Sequence, residues 1–121
     1  ALVKINIMSV DGLRSGKRLI KISNINIWRS LSERALGVMF WPDFKGYNGM
    51  LLTKTNSIHT FFVRFPLDIV FLDESNRIIR LDNLRPWSFS PIVWKARHIL
   101  ELPSGAIKQH GLAVGDKLIL E

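Results

Sequence analysis

The sequence predicts a mainly β fold, a single β-sandwich or barrel-like domain with two short helices. Three observations predict it. Short runs of alternating or continuous apolar residues recur along the chain. Turn signals rich in Gly, Asp, Asn and Ser separate those runs. Only two windows change to a helical period, and both are brief. The 121 residues suit one domain, and 47% hydrophobic content supplies one core.

The elements follow in order. Residues 2–10 alternate apolar and polar as a strand does, and Asp11-Gly12 and Ser15-Gly16 are turn signals. Residues 17–28 alternate again, with Ile20, Ile22, Asn24, Asn26 and Trp28 on one side. The two runs predict an N-terminal β-ribbon over 1–28. Residues 30–37 predict the first helix, with Ser30 or Ser32 as N-cap, Glu33 in the first turn and Gly37 at the end. Residues 41–49 are loop chemistry, and 50–55 form a short strand. Residues 57–63 and 67–72 are apolar on both faces, which predicts two central strands covered on both sides. Pro66 lacks an N–H and separates them. Asp73 to Asn76 predict a hairpin turn, with a returning strand from Arg77. Residues 82–94, with two Pro and two Trp, predict a structured loop or edge. Residues 96–102 form another strand, in which Ala96, His98, Leu100 and Leu102 alternate with Arg97, Ile99 and Glu101. Residues 103–111 give the second helix, with Lys108 and His110 near its C-terminal end and Gly111 just after it. A turn at Gly115 leads into a last strand from Lys117.

Composition narrows the function classes. With no Cys, disulfide frameworks and thiolate metal sites are excluded. No apolar run approaches the roughly 18 residues of a membrane span, so an integral membrane protein is not expected. The chain opens without Met, which fits a processed product from which an export signal was removed. Net charge is +7, and residues 1–34 hold seven basic against two acidic side chains. The basic ribbon, with Arg14, Lys17, Arg18 and Lys21, is a candidate electrostatic patch for nucleic acid or an anionic membrane.

Motif by motif, the cofactor signatures fail. Gly12 and Gly16 are spaced wrongly for a phosphate loop, and Arg18 follows Lys17 where Ser or Thr is needed. Phe62 to Phe65 match only the tail of an RNA-recognition strand, which argues against nucleic acid there. His59, His98 and His110 are dispersed without metal-ligand spacing. No cofactor is expected. Polar residues inside the apolar stretch 57–81 are the candidate ligand-binding set: His59, Arg64 and Asp68, joined by Trp87 and Arg97 from later loops and strands. A buried Asp68 needs a partner, and Arg64 or Arg97 would supply one. An alternative reading makes His59 a general base oriented by Asp68.

Several segments carry a family resemblance. Arg34, Gly37 and Met39, then Gly49-Met50-Leu51, Leu67-Asp68, Phe71 to Asp73, Ala96-Arg97 and Leu100-Glu101-Leu102 resemble domain-of-unknown-function family 192. The resemblance covers residues 29–121 best and the ribbon over 1–28 more loosely. Leu36 and Trp41 stand where that family often has basic residues, Val38 replaces a Leu, and Thr55 replaces a Cys of one subgroup. The resemblance implies a compact, mostly β domain of a bacterium or archaeon. It implies no assigned enzymatic activity, and it points to the cell envelope or export. The expected function is a non-catalytic binding module for a polypeptide or glycan. The alternatives are an enzyme using His59 and Asp68, and an electrostatic binder using the basic ribbon.

Overall fold

Alternation places the first strands. The computed structural model describes residues 5–8, 18–29 and 41–121, with backbone alone for 5–8. The expected turn with Arg14 and Lys17 and the expected first helix, with Arg34, Gly37 and Met39, lie outside them. Strand β1 (Ile5–Met8) pairs antiparallel with β2 (Leu19–Ile22). Ile20 and Ile22 alternate with Leu19 and Lys21, and both isoleucines are fully buried.

The even alternation of 17–28 predicts one strand, and the structure divides it in two. Asn24 adopts φ 57, in the left-handed region that Asn tolerates better than most residues. An unbroken strand would put Asn24 on the same face as Ile20 and Ile22. The bend shifts the parity, and Ile25 takes the core position instead. Three hydrogen bonds hold it: Asn24 Nδ2 donates to Gly46 O at 2.7 Å, Asn48 N to Asn24 O at 3.0 Å, and Asn48 Nδ2 to Ser23 O at 2.7 Å. Beyond the bend, β3 (Ile25–Trp28) joins a different sheet, pairing parallel with β4 (Gly49–Thr53).

The second sheet has five strands in the order β3-β4-β7-β5-β6, the last three being β5 (Leu67–Leu72), β6 (Ile78–Leu84) and β7 (His98–Pro103). Strand β7 lies antiparallel between β4 and β5, and β5 and β6 form a hairpin. Asp73 makes that turn: its Oδ1 accepts from Ser75 N at 2.8 Å and Arg77 N at 3.0 Å. Helix α1 (Ala106–His110) follows β7, and Gly111 at φ 64 ends it in a left-handed cap. Strand β8 (Lys117–Leu120) returns parallel to β2 and completes a three-stranded sheet, β1-β2-β8. One bridge, Arg77 with Lys117, ties the two sheets at a corner.

Both faces of the five-stranded sheet are covered, which is why all six residues of β5 are buried. Ile20, Ile22 and Leu118 of the small sheet pack with Leu51, Val70, Leu100 and Leu102 as one core. On the opposite face Met50, Leu52, Ile69, Phe71 and Ile99 pack beneath loop residues Phe44, Val63 and Ala96. Residues 57–63, expected as a second central strand, belong to this cover. They touch the ladder pattern only at the bridge of His59 with Phe89. Phe62 turns outward at φ 60. Their apolar content reflects their packing over the sheet as a cover, which needs no strand hydrogen bonding.

Candidate functional site

Two loop segments, 57–66 and 85–97, are tied together by one buried threonine. Thr60 is fully buried, so each of its polar atoms needs a partner. Its N–H donates to Ser88 O at 2.8 Å and its hydroxyl to Arg85 O at 2.6 Å. The hydroxyl oxygen accepts from Ser88 N at 2.7 Å, and the carbonyl accepts from Trp87 N at 2.9 Å. Ser90 adds a second tie, exchanging hydrogen bonds with Ile58 through its hydroxyl and its N–H, both at 2.8 Å.

Those ties present a cluster of rings on the surface. The Phe61 ring lies 5.0 Å from His59, 5.7 Å from Trp87 and 4.8 Å from Phe89, centroid to centroid. Phe62 and Trp87 meet at 4.5 Å. Trp87 is 59% exposed and Phe89 71%. Phe62 and Trp87 both sit at φ 60, where a bulky side chain costs about 1–2 kcal/mol. Two such residues in mutual contact, with rings in solvent rather than in the core, mark a place where the fold is not arranged for stability alone. Ile92 and Trp94, on the same second loop, are exposed as well.

The expected site residues divide between this face and the interior. His59 and Trp87 are part of the ring cluster; the His59 Nδ1 accepts from Phe61 N at 3.2 Å. Arg64 and Arg97 are exposed, and no described carboxylate pairs with either. The Arg97 backbone fixes its segment, donating to Leu72 O at 2.7 Å and accepting from Thr55 N at 3.0 Å. Asp68 lies elsewhere, buried on β5. Its Oδ1 accepts from Asn83 Nδ2 at 2.7 Å, and its Oδ2 from Gly105 N at 3.0 Å and Ile107 N at 2.8 Å. The expected pairing of Asp68 with Arg64 or Arg97 is therefore corrected. The orphan amides at the start of α1, where Gly105 offers no capping side chain, take the carboxylate instead. No hydrogen bond links Asp68 to His59, so the acid–base alternative has no contact behind it.

The described part of the basic ribbon is already neutralised. Arg18 donates to Asp116 at 2.7 Å, a hydrogen bond that raises the arginine pKa, and also to the Gly111 carbonyl. Lys21 pairs with Glu121 at 3.2 Å. Trp41, half-buried, stands edge-on to Trp28 at 5.6 Å with the Lys45 ammonium 4.2 Å above its ring. A cleft of about 370 Å³ opens beside it, walled by Phe44, Tyr47, Phe65 and Pro66.

The alternation of residues 96–102 left one notable group unread. Glu101 faces the loop-covered core, between Met50 and Ile69 of the neighbouring strands. It is 3% exposed, and its Oε2 has no hydrogen-bond partner among the described residues. Burial pushes its pKa up to about 8, so the carboxyl is mostly protonated at neutral pH. A carboxylate within the apolar run Ile99 to Leu102 was the available signal. His98, on the same strand, accepts from Lys54 N at 3.1 Å, and burial and then Arg97 lower its pKa. Among the described residues no three of His, Asp and Glu come together as metal ligands, and no helix is long and apolar enough to cross a membrane.

The comparisons with known proteins agree on family and fold. A UPF0127 protein of Thermococcus sibiricus is 32% identical over 98 residues, 78% of this chain and 64% of that protein. The chain thus spans less than two thirds of that relative. The UPF0127 protein PH1112 of Pyrococcus horikoshii is 31% identical over 109 residues, 88% of this chain and 95% of the relative. A crystal structure of a protein of unknown function from Novosphingobium aromaticivorans superposes with a TM-score of 0.71 at 22% identity, over 93% of this chain and 81% of that one. It shares the fold. The family model DUF192, described as "Uncharacterized ACR, COG1430", matches residues 13–120, which takes in part of the ribbon that the sequence resembles more loosely, and the chain belongs to that family.

Proposed function

We propose that this protein is a non-catalytic binding module that captures a polypeptide on the ring cluster of segments 57–66 and 85–97. The observation that carries the reading is the rigid presentation of exposed rings. Phe62, Trp87 and Phe89 stand in solvent on loops that Thr60 locks together. Aromatic side chains have few rotatable bonds, and on a fixed backbone they are effective anchors, because little entropy is lost when they are covered.

A polypeptide suits this face better than a glycan. Sugar sites combine a ring with carboxylate or carboxamide groups that bond the hydroxyls. Segments 57–66 and 85–97 contain no Asp, Glu, Asn or Gln. An address in the cell envelope or outside the cytoplasm belongs to the same proposal, and fractionation of the native host tests it.

The experiment is selection from a displayed library of random peptides, with wild type and a Trp87→Ala, Phe89→Ala double variant as baits. Peptides enriched on wild type and lost on the variant support the reading, provided that both proteins melt cooperatively. Equal enrichment on both baits rejects it.

A further inference from the structure

The charge around the rings says more about the occupant. Segments 57–66 and 85–97 carry Arg64, Arg85, Lys95 and Arg97 and no acidic residue. All four cations are exposed. The ion pairs among the described residues lie elsewhere: Arg18 with Asp116, Lys21 with Glu121 and Arg80 with Asp82. The two segments that carry the ring cluster thus hold four exposed cations that no described carboxylate neutralises. Resting on the proposal of a polypeptide-binding face, we infer that its occupant is an acidic polypeptide segment. Its apolar or aromatic side chains seat on Phe62, Trp87 and Phe89, and its flanking Asp and Glu meet Arg64, Arg85, Lys95 and Arg97.

Other occupants fit the same face less well. A second copy docked symmetrically would bring four cations against four, which like-charge repulsion opposes. Single-stranded nucleic acid stacks successive bases on open ring faces. Here the rings lean on one another, Phe61 at 77° to Phe89 and Phe62 at 59° to Trp87, and offer no row of parallel faces. An anionic bilayer favours separate apolar tips that penetrate past the headgroups. The Phe61 ring is half-buried and in contact with three neighbouring rings, which makes a knobbed surface rather than a set of tips.

The test uses three displayed libraries that share a random centre and differ in their flanks: Asp and Glu, Lys and Arg, or Ser and Gly. Enrichment should be confined to the acidic-flank library. The affinity of an enriched peptide, read by fluorescence anisotropy, should fall as salt rises. An Arg85→Glu, Arg97→Glu variant should bind that peptide about tenfold more weakly. Its substitutions spare the loop framework, because among the described residues both contribute backbone groups to it and no side-chain bond. Equal enrichment of acidic and neutral flanks overturns the acidic partner and leaves the binding module standing. No enrichment over the Trp87→Ala, Phe89→Ala variant in any library overturns both. Sedimentation of the wild type with phosphatidylglycerol vesicles, absent with phosphatidylcholine vesicles, replaces the peptide with a bilayer.

Discussion

Glu101→Gln should remove most of the pH dependence of stability and raise stability at pH 8. The carboxyl has an ordinary value of 4.5 in the unfolded chain and about 8 in the folded one, because burial penalises its charged form. Below pH 4.5 it is protonated in both states, and the folded protein carries no penalty. Between pH 4.5 and 8 the unfolded chain releases the proton while the folded protein keeps it. Stability therefore falls as pH rises through that window. Each pH unit is worth about 1.4 kcal/mol, so the whole window removes about 5 kcal/mol. A domain of this size has only about 5–15 kcal/mol in total. Glutamine keeps the shape and never ionises, but its buried amide leaves donors to satisfy, at about 1–3 kcal/mol. The expected net gain at pH 8 is about 2–4 kcal/mol. Urea unfolding followed by tryptophan fluorescence, from pH 5 to 8.5 on both proteins, measures it. Groups common to both proteins contribute equally and cancel in the difference. Parallel stability curves for wild type and variant would refute the reasoning, and would mean that the Glu101 carboxylate is ionised and compensated in the folded protein.

Three other perturbations read the framework. Gly49→Ala should cost about 1–3 kcal/mol by thermal melt, since a Cβ there would lie 2.7 Å from Leu102 Cδ2 and 3.0 Å from the Glu101 carbonyl, and the latter is fixed in the sheet. Asp68→Ala should cost about 3 kcal/mol, because it strips the amides of Gly105 and Ile107 of their acceptor; Asp68→Asn should cost less, and amide exchange at both positions should report the loss. Thr60→Val keeps the shape and loses the bonds to Arg85 and Ser88, so it should cost about 1–3 kcal/mol and speed exchange of the Ser88 amide while the strand amides of β5 and β7 stay protected.

Where local pattern and tertiary environment agree, the fold was legible. Pro66 separated β5 from what precedes it, Asp73 and Asn76 made the hairpin, and Gly111 ended α1. The bend at Asn24 was not legible, because alternation runs through it unbroken. It is held by Gly46 and Asn48, more than twenty residues away. Residues 57–63 misled for a different reason. Composition reports contact with the core, and a cover loop that packs Ile58 and Val63 onto the sheet needs apolar residues without forming a strand. Asp68 was readable as a buried carboxylate in need of a partner, yet the amides that satisfy it lie 37 and 39 residues further along the chain. Of the ring cluster, His59 and Trp87 were named from sequence. Phe62 read as part of a covered central strand, and Phe89 was not singled out in the expected loop or edge over 82–94, because nothing local distinguishes an outward phenylalanine from an inward one.

The two sides of segment 57–66 explain how one stretch supplies both core contacts and an exposed ring cluster. Val63 and Ile58 point into the core that covers Met50 and Ile69, while Phe62 stands outside. A regular strand of this length would send neighbouring side chains to opposite faces at fixed intervals. The left-handed backbone at Phe62 breaks that period, so Phe61 and Phe62 both reach the outer cluster while Val63 returns to the core. Trp87 does the same on the second loop, and Thr60 holds the two departures in register. The strain at Phe62 and Trp87 is therefore what gathers adjacent aromatic residues onto one surface. It costs about 1–2 kcal/mol at each position, and the core beneath the loops absorbs it.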